Sequence, residues 1–161
     1  MSKILVYTDA SFSEKEKKAG LGVLIQNGSK RSLYSNWAPA KTSNEGELKA
    51  IWFACQICLG KEIEIITDSQ SALTFLAGEE NPDKPRTRES WENFQRCRFW
   101  AAKIKQDCKL AGTKVTFSKV KAHQRSISSE LICNNRLADS LAKEGLGKFF
   151  KNSSKTLDRG R

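Results

Sequence analysis

Two apolar runs in this chain end in nearly the same tetrad. Ile4-Leu5-Val6-Tyr7 leads into Thr8-Asp9-Ala10-Ser11, and Ile63-Glu64-Ile65-Ile66 leads into Thr67-Asp68-Ser69-Gln70. Each sets an aspartate at the carboxyl end of an expected buried strand, the edge of an open α/β sheet where ligands and chemistry gather. If the strands are neighbours, Asp9 and Asp68 stand close, and each raises the other's proton affinity. A divalent cation reverses that penalty, so the pair reads as metal-holding. Singly, each acid has an ordinary alternative: Asp68 or Ser69 could cap the following helix, and Asp9 could open a turn. The repetition favours function.

Glu47 is the third acid of interest. At 3.6 residues per turn its helical neighbours are Ala50, Ile51, Ala54 and Cys58, with Lys49, Phe53 and Gln56 on the other side. A carboxylate in an apolar stripe is costly unless it is paired or binds a metal. An acid in a first turn also favours the helix dipole. Glu45 can do that from a solvated position, so Glu47 reads as functional. Asp139 follows one turn after Asn135 in Asn134-Asn135-Arg136-Leu137-Ala138-Asp139. Alone it reads as a solvated acid; beside three other carboxylates it is a candidate fourth ligand. His123, the single histidine, sits in the polar stretch Lys121-Ala122-His123-Gln124. Near a carboxylate-metal site an imidazole, which titrates near neutrality, suits proton shuttling or product departure.

These residues must be positioned by a fold. Residues 4–9, 19–26 and 31–37 read as strands, with a hairpin turn at Asn27-Gly28. Thr42-Ser43-Asn44 caps a helix over 45–59 that Gly60 ends. A strand over 62–67 and a short helix over 69–77 follow, then a loop over 79–85. A basic helix spans 88–110, a fifth strand 114–120, and a last helix 130–145, stopped by Gly145 and Gly147. The order implies an α/β fold: a mixed five-stranded sheet, its first three strands antiparallel, with helices on both faces. Residues 1–147 are expected to form one catalytic domain, and 148–161 a basic, disordered tail.

Composition sets the outer bounds. Apolar residues make up 39% of 161, enough for a packed core. No apolar run approaches the roughly 20 residues of a membrane helix, so the expectation is a soluble, cytoplasmic protein with no membrane partner. Lys and Arg number 28 against 18 acids, a net charge of +10 that favours nucleic acid as partner. The basic helix and tail are expected to act as an electrostatic handle for it. Cys55, Cys58, Cys97, Cys108 and Cys133 form no disulfide framework. The CxxC at Cys55 and Cys58 has no second pair, which argues against zinc and for buried thiols in a reducing compartment.

Taken together, these motifs resemble the type 1 ribonuclease H family, over about residues 4–146. The resemblance is carried by Tyr7-Thr8-Asp9-Ala10-Ser11, Ala19-Gly20-Leu21-Gly22-Val23, Thr42-Ser43-Asn44-Glu45-Gly46-Glu47-Leu48, Ile66-Thr67-Asp68-Ser69-Gln70, Val120-Lys121-Ala122-His123 and Asn135-Arg136-Leu137-Ala138-Asp139. It implies that Asp9, Glu47, Asp68 and Asp139 hold two Mg²⁺ ions, with Mn²⁺ able to substitute, and that His123 assists proton transfer. It implies substrate contacts at Ser11, at Thr42 with a DNA phosphate, at Asn44 and Gln70 with the minor groove, and at Asn135 with the RNA strand. The implied activity is hydrolysis of the RNA strand of RNA/DNA hybrids, leaving 5′-phosphate and 3′-hydroxyl ends, by a monomer. The chain departs from the family at Ala10, where glycine is common, and at Glu45, where a basic residue often stands. The family's basic protrusion is shortened to 79–91. The alternatives are a DNA-directed nuclease of the same fold and a catalytically inert nucleic-acid-binding module; the latter usually loses carboxylates that this chain retains.

Overall fold

The computed structural model describes residues 3–120 and 129–159. Among them run β1 (Ile4–Ser13), β2 (Lys18–Asn27), β3 (Lys30–Pro39), α1 (Ser43–Ile57), β4 (Glu62–Thr67), α2 (Gln70–Leu76), α3 (Arg88–Ala111), β5 (Lys114–Lys119) and α4 (Ser129–Arg159). The sheet order is β3-β2-β1-β4-β5. β1 pairs with β2, and β2 with β3, antiparallel, while β4 lies parallel to both β1 and β5. This is the mixed sheet expected from the element order.

Strand alternation builds a core on each face. Val6, Val23, Ile63 and Ile65 turn to one side, where they meet Leu48, Ile51, Ala54 and Cys55 of α1 and Cys97 and Ile104 of α3. Tyr7, Leu24, Ile66 and Val120 turn to the other, against Ala138 and Leu141 of α4. The side of α1 that carries Lys49 and Gln56 packs on α3. Trp52 Nε1 and Gln56 Nε2 both donate to Asp107 Oδ2 at 3.0 Å, and Lys49 Nζ lies 4.9 Å from the Trp100 ring centroid.

α4 differs most from its sequence reading. It does not stop at Gly145 or Gly147 but continues to Arg159, so the segment expected to be disordered is helical as far as it is described. The reason is tertiary. A glycine within a helix costs about 1 kcal/mol relative to alanine, yet here it permits contact: a Cβ on Gly145 would lie 2.0 Å from the Asn36 carbonyl oxygen of β3. Beyond it, Lys148 Nζ donates to the Ser35 carbonyl at 2.8 Å. The Phe149 ring meets Trp37 edge-on at 4.9 Å. The helix is held by the sheet past the point where its own sequence would end it.

Gly22 closes the same interface from below. It pairs with Asp9 across β1 and β2. A Cβ there would stand 2.2 Å from the Ala138 carbonyl oxygen and 2.6 Å from the Ala142 nitrogen. Replacing a strand glycine with alanine would ordinarily gain about 0.5–1 kcal/mol. Overpacking against helix backbone costs about 1–3 kcal/mol and outweighs that gain. Gly22→Ala is therefore expected to lower the urea midpoint with an unchanged m-value, measured by equilibrium denaturation.

Candidate active site

β1 and β4 run parallel, with pairs from Ile4↔Ile63 to Tyr7↔Ile66. Two residues past the last pair come Asp9 and Asp68, delivered side by side as the repeated tetrads suggested. Glu47 enters from the first turns of α1. Ligand oxygens of Asp9, Glu47 and Asp68 all lie within 4.8 Å of one another. Helix capping does not account for these acids, because hydroxyls do that work. Thr42 caps α1 by accepting from the Glu45 amide at 3.2 Å. Ser69 caps α2 by accepting from the Ala72 amide at 3.1 Å, which leaves Asp68 exposed at the site.

The electrostatics are those of crowded, partly buried carboxyl groups. Burial, then the neighbouring acids, raises the Asp9 carboxyl to about 7, although the Ala10 amide donates to its Oδ1 at 2.9 Å. Burial, then Asp9 and Asp68, raises Glu47 to about 9. The Glu47 Oε2 atom is buried with no hydrogen-bond partner among the described residues. A buried, orphaned carboxylate oxygen beside two further carboxylates fits a hard divalent cation bound by oxygen ligands.

Asp139 stands next to Asp9, near enough to raise its proton affinity. It lies outside the close trio, half-exposed, and its Oδ2 pairs with Lys143 Nζ at 3.1 Å. His123 lies outside the described residues. Asn44 and Gln70 line one groove of about 580 Å³, together with Thr74, Asn93 and Phe94. Thr42 Oγ1 donates to Asn93 Oδ1, joining the α1 N-terminus to α3. Ser11, opposite Gly20 on β2, and Asn135, on α4, are half-buried.

The reading of Glu45 is corrected. It is not a solvated acid but is buried, accepting from the Lys41 amide at 2.7 Å and pairing with Arg96 at 3.5 Å and Lys49 at 3.4 Å. α3 folds over the α1 N-terminus and supplies the countercharge. Of the cations expected to form a handle along α3, Arg96, Arg98 and Lys103 pair with Glu45, Glu80 and Asp107. Sequence reasoning missed Asn93 and Lys143. Lys143 had a signal, its i,i+4 spacing from Asp139. Asn93 is 51 residues from Thr42 and had none.

A family model described as RNase H matches residues 1–147. The chain is 32% identical over 152 residues to a ribonuclease H of Chlorobium luteolum, spanning 91% of this chain and 97% of that relative. It is also 32% identical over 151 residues to a ribonuclease H of Chlorobium phaeobacteroides, spanning 89% and 95%. Its fold is similar to RNase H1 from the halophilic archaeon Halobacterium salinarum, with a TM-score of 0.63 at 19% identity over 91% of this chain and 99% of that one. It is similar as well to LC11-RNase H1 in complex with an RNA/DNA hybrid, with a TM-score of 0.57 at 22% identity over 92% and 99%. Strand order, crowded acids and a family match over nearly the whole chain agree: the chain belongs to the RNase H family and is an enzyme of the ribonuclease H class.

Proposed function

We propose that this enzyme hydrolyses the RNA strand of RNA/DNA hybrids by a two-metal mechanism, leaving 5′-phosphate and 3′-hydroxyl ends. The observation that carries the reading is the trio Asp9, Glu47 and Asp68, within 4.8 Å, with one buried glutamate oxygen that has no hydrogen-bond partner among the described residues. Asp9, Glu47, Asp68 and Asp139 would hold Mg²⁺, with Mn²⁺ as a substitute. Divalent cations, when bound, supply Lewis acidity to a water and to the phosphate. The protein's own residues do the rest. Sheet and α1 preassemble the carboxylates, so little rearrangement is needed when the substrate arrives. His123 carries a proton to or from the reacting oxygens. Asn44, Gln70 and Asn135, with Thr42 and Ser11, orient the two strands; 2′-hydroxyl contacts on one and phosphate contacts on the other distinguish a hybrid from duplex DNA. The complex of LC11-RNase H1 with an RNA/DNA hybrid supports that choice of substrate. The enzyme acts as a monomer. No described helix is long and apolar enough to cross a membrane.

The decisive assay is Mg²⁺-dependent cleavage of labelled RNA/DNA, RNA/RNA and DNA/DNA duplexes. Wild type should cut only the RNA of the hybrid, and Asp68→Asn should lose that activity while remaining folded. Products ending in 2′,3′-cyclic phosphate, or wild-type cleavage by Asp68→Asn, would sink the mechanism.

His123→Ala should slow turnover markedly while leaving hybrid affinity within about twofold, as expected for a group that acts only in the reaction step. Affinity collapsing alongside normal single-turnover cleavage would make His123 a binding contact instead.

Stability should carry the signature of the crowded acids. The folded values of Asp9 and Glu47, about 7 and about 9, lie above their ordinary 3.8 and 4.5. The folded protein therefore holds protons that the unfolded chain releases. That contribution is complete below the ordinary values and is lost as pH rises through about 7 to 9. With EDTA present, Tm should fall between pH 5 and pH 9, more steeply for wild type than for Asp9→Asn, and Mg²⁺ should flatten the wild-type curve. Parallel curves for the two proteins, measured by calorimetry, would contradict this account.

A further inference from the structure

α4 meets β2 through small residues. Ala138 and Ala142 face Gly20 and Gly22, whose backbones approach so closely that a Cβ on either would collide with the helix. Such a surface brings helix and strand backbones together, with Leu137 and Leu141 packed beside it. Displacement by one residue turns a helix by about 100°, enough to swing Asp139 away from Asp9. The hydrogen bond from Ser35 Oγ to the Leu141 carbonyl does not prevent this, because a helix offers a carbonyl at every residue. Side-chain contacts do discriminate: Lys148 with Ser35 and Phe149 with Trp37 beyond Asp139, and one buried pair before it. Asn134 is completely buried, and its Nδ2 donates to Gln26 Oε1 of β2 at 2.6 Å. Its Oδ1 is buried without a hydrogen-bond partner among the described residues.

We propose that the Asn134–Gln26 pair is the register pin of α4, and that Asn134 is a positioning residue for Asp139. The inference rests on the reading above that Asp139 serves the metal-holding acids. Asn134 sits five residues, about 7.5 Å of helix, before Asp139. Breaking the pair leaves a buried amide unsatisfied, so a slipped or rotated helix is penalised beyond what its apolar contacts alone would impose. A single buried polar contact sets register in this way in other helical interfaces. The action of the pair is to hold the helix that carries Asn135 and Asp139.

The test compares a double variant, Gln26→Met with Asn134→Leu, against Gln26→Glu, which keeps the accepting oxygen. Replacing both partners with apolar groups leaves neither unsatisfied, so the metal-free double variant should unfold close to the wild-type temperature. Its kcat on an RNA/DNA hybrid should nevertheless fall about tenfold with KM little changed, the signature of a misplaced group. Its rise in Tm on adding Mg²⁺ should shrink. Gln26→Glu should keep wild-type kcat and the wild-type Mg²⁺ response. A double variant with both of these intact would overturn the pin. If it does not fold, the same two readings on Gln26→Met alone decide the question. Asp139→Asn, measured alongside, separates the two levels. Full cleavage and full Mg²⁺ response there would overturn the assignment of Asp139, whereas an inactive Asp139→Asn beside a fully active double variant would overturn the pin alone.

Discussion

Repulsion among three carboxylates is the constraint around which this molecule is organised. Asp9, Glu47 and Asp68 are held within 4.8 Å on a framework that would be more stable with them apart. Bringing an unpaired carboxylate into a protein interior costs several kcal/mol after relaxation, comparable to a large share of a domain's net stability. The rest of the structure must therefore supply enough packing to hold the acids in place. It does so with a core on each face of the sheet, where single buried leucine and isoleucine side chains each contribute roughly 1.5–3 kcal/mol.

Division of labour among side chains keeps that arrangement free for chemistry. Thr42 and Ser69 satisfy the helix N-termini, so neither Asp68 nor Glu47 is needed for capping. Glu45, two residues from Glu47, is neutralised by Arg96, Lys49 and the Lys41 amide. Two glutamates on one helical turn thus have opposite environments: Glu45 lies among cations, whereas Glu47 lies beside the carboxyl groups of Asp9 and Asp68. That contrast, rather than burial alone, sets Glu47 apart from Glu45.

Positive charge is distributed less simply than a count suggests. The net charge of +10 is a property of the whole chain, but along α3 several cations are matched to specific carboxylates. Arg98 pairs with Glu80 and also lies over the Phe94 ring. Partnered groups of this kind fasten α3 to its neighbours and add less to a long-range field than free ones would.

What the sequence determined by itself was the local chemistry and the order of elements. Apolar runs ending in Thr-Asp, the apolar stripe around Glu47, hydroxyl caps before two helices, and the strand and helix periodicities are all written within a few residues of one another. They suffice for the mixed sheet and for three acids at one edge. What only the tertiary structure decided depends on contacts between distant segments. The continuation of α4 past Gly145 and Gly147 goes with contacts to Asn36, Ser35 and Trp37 on β3. The burial of Glu45 follows from Arg96, 51 residues away, and the setting of α4 on β2 from an amide pair 108 residues apart. Propensity and periodicity are sums over neighbours in the chain, so they carry no information about which surface a segment will meet; that is settled when packing and hydrogen bonding across the sheet outweigh the local preference.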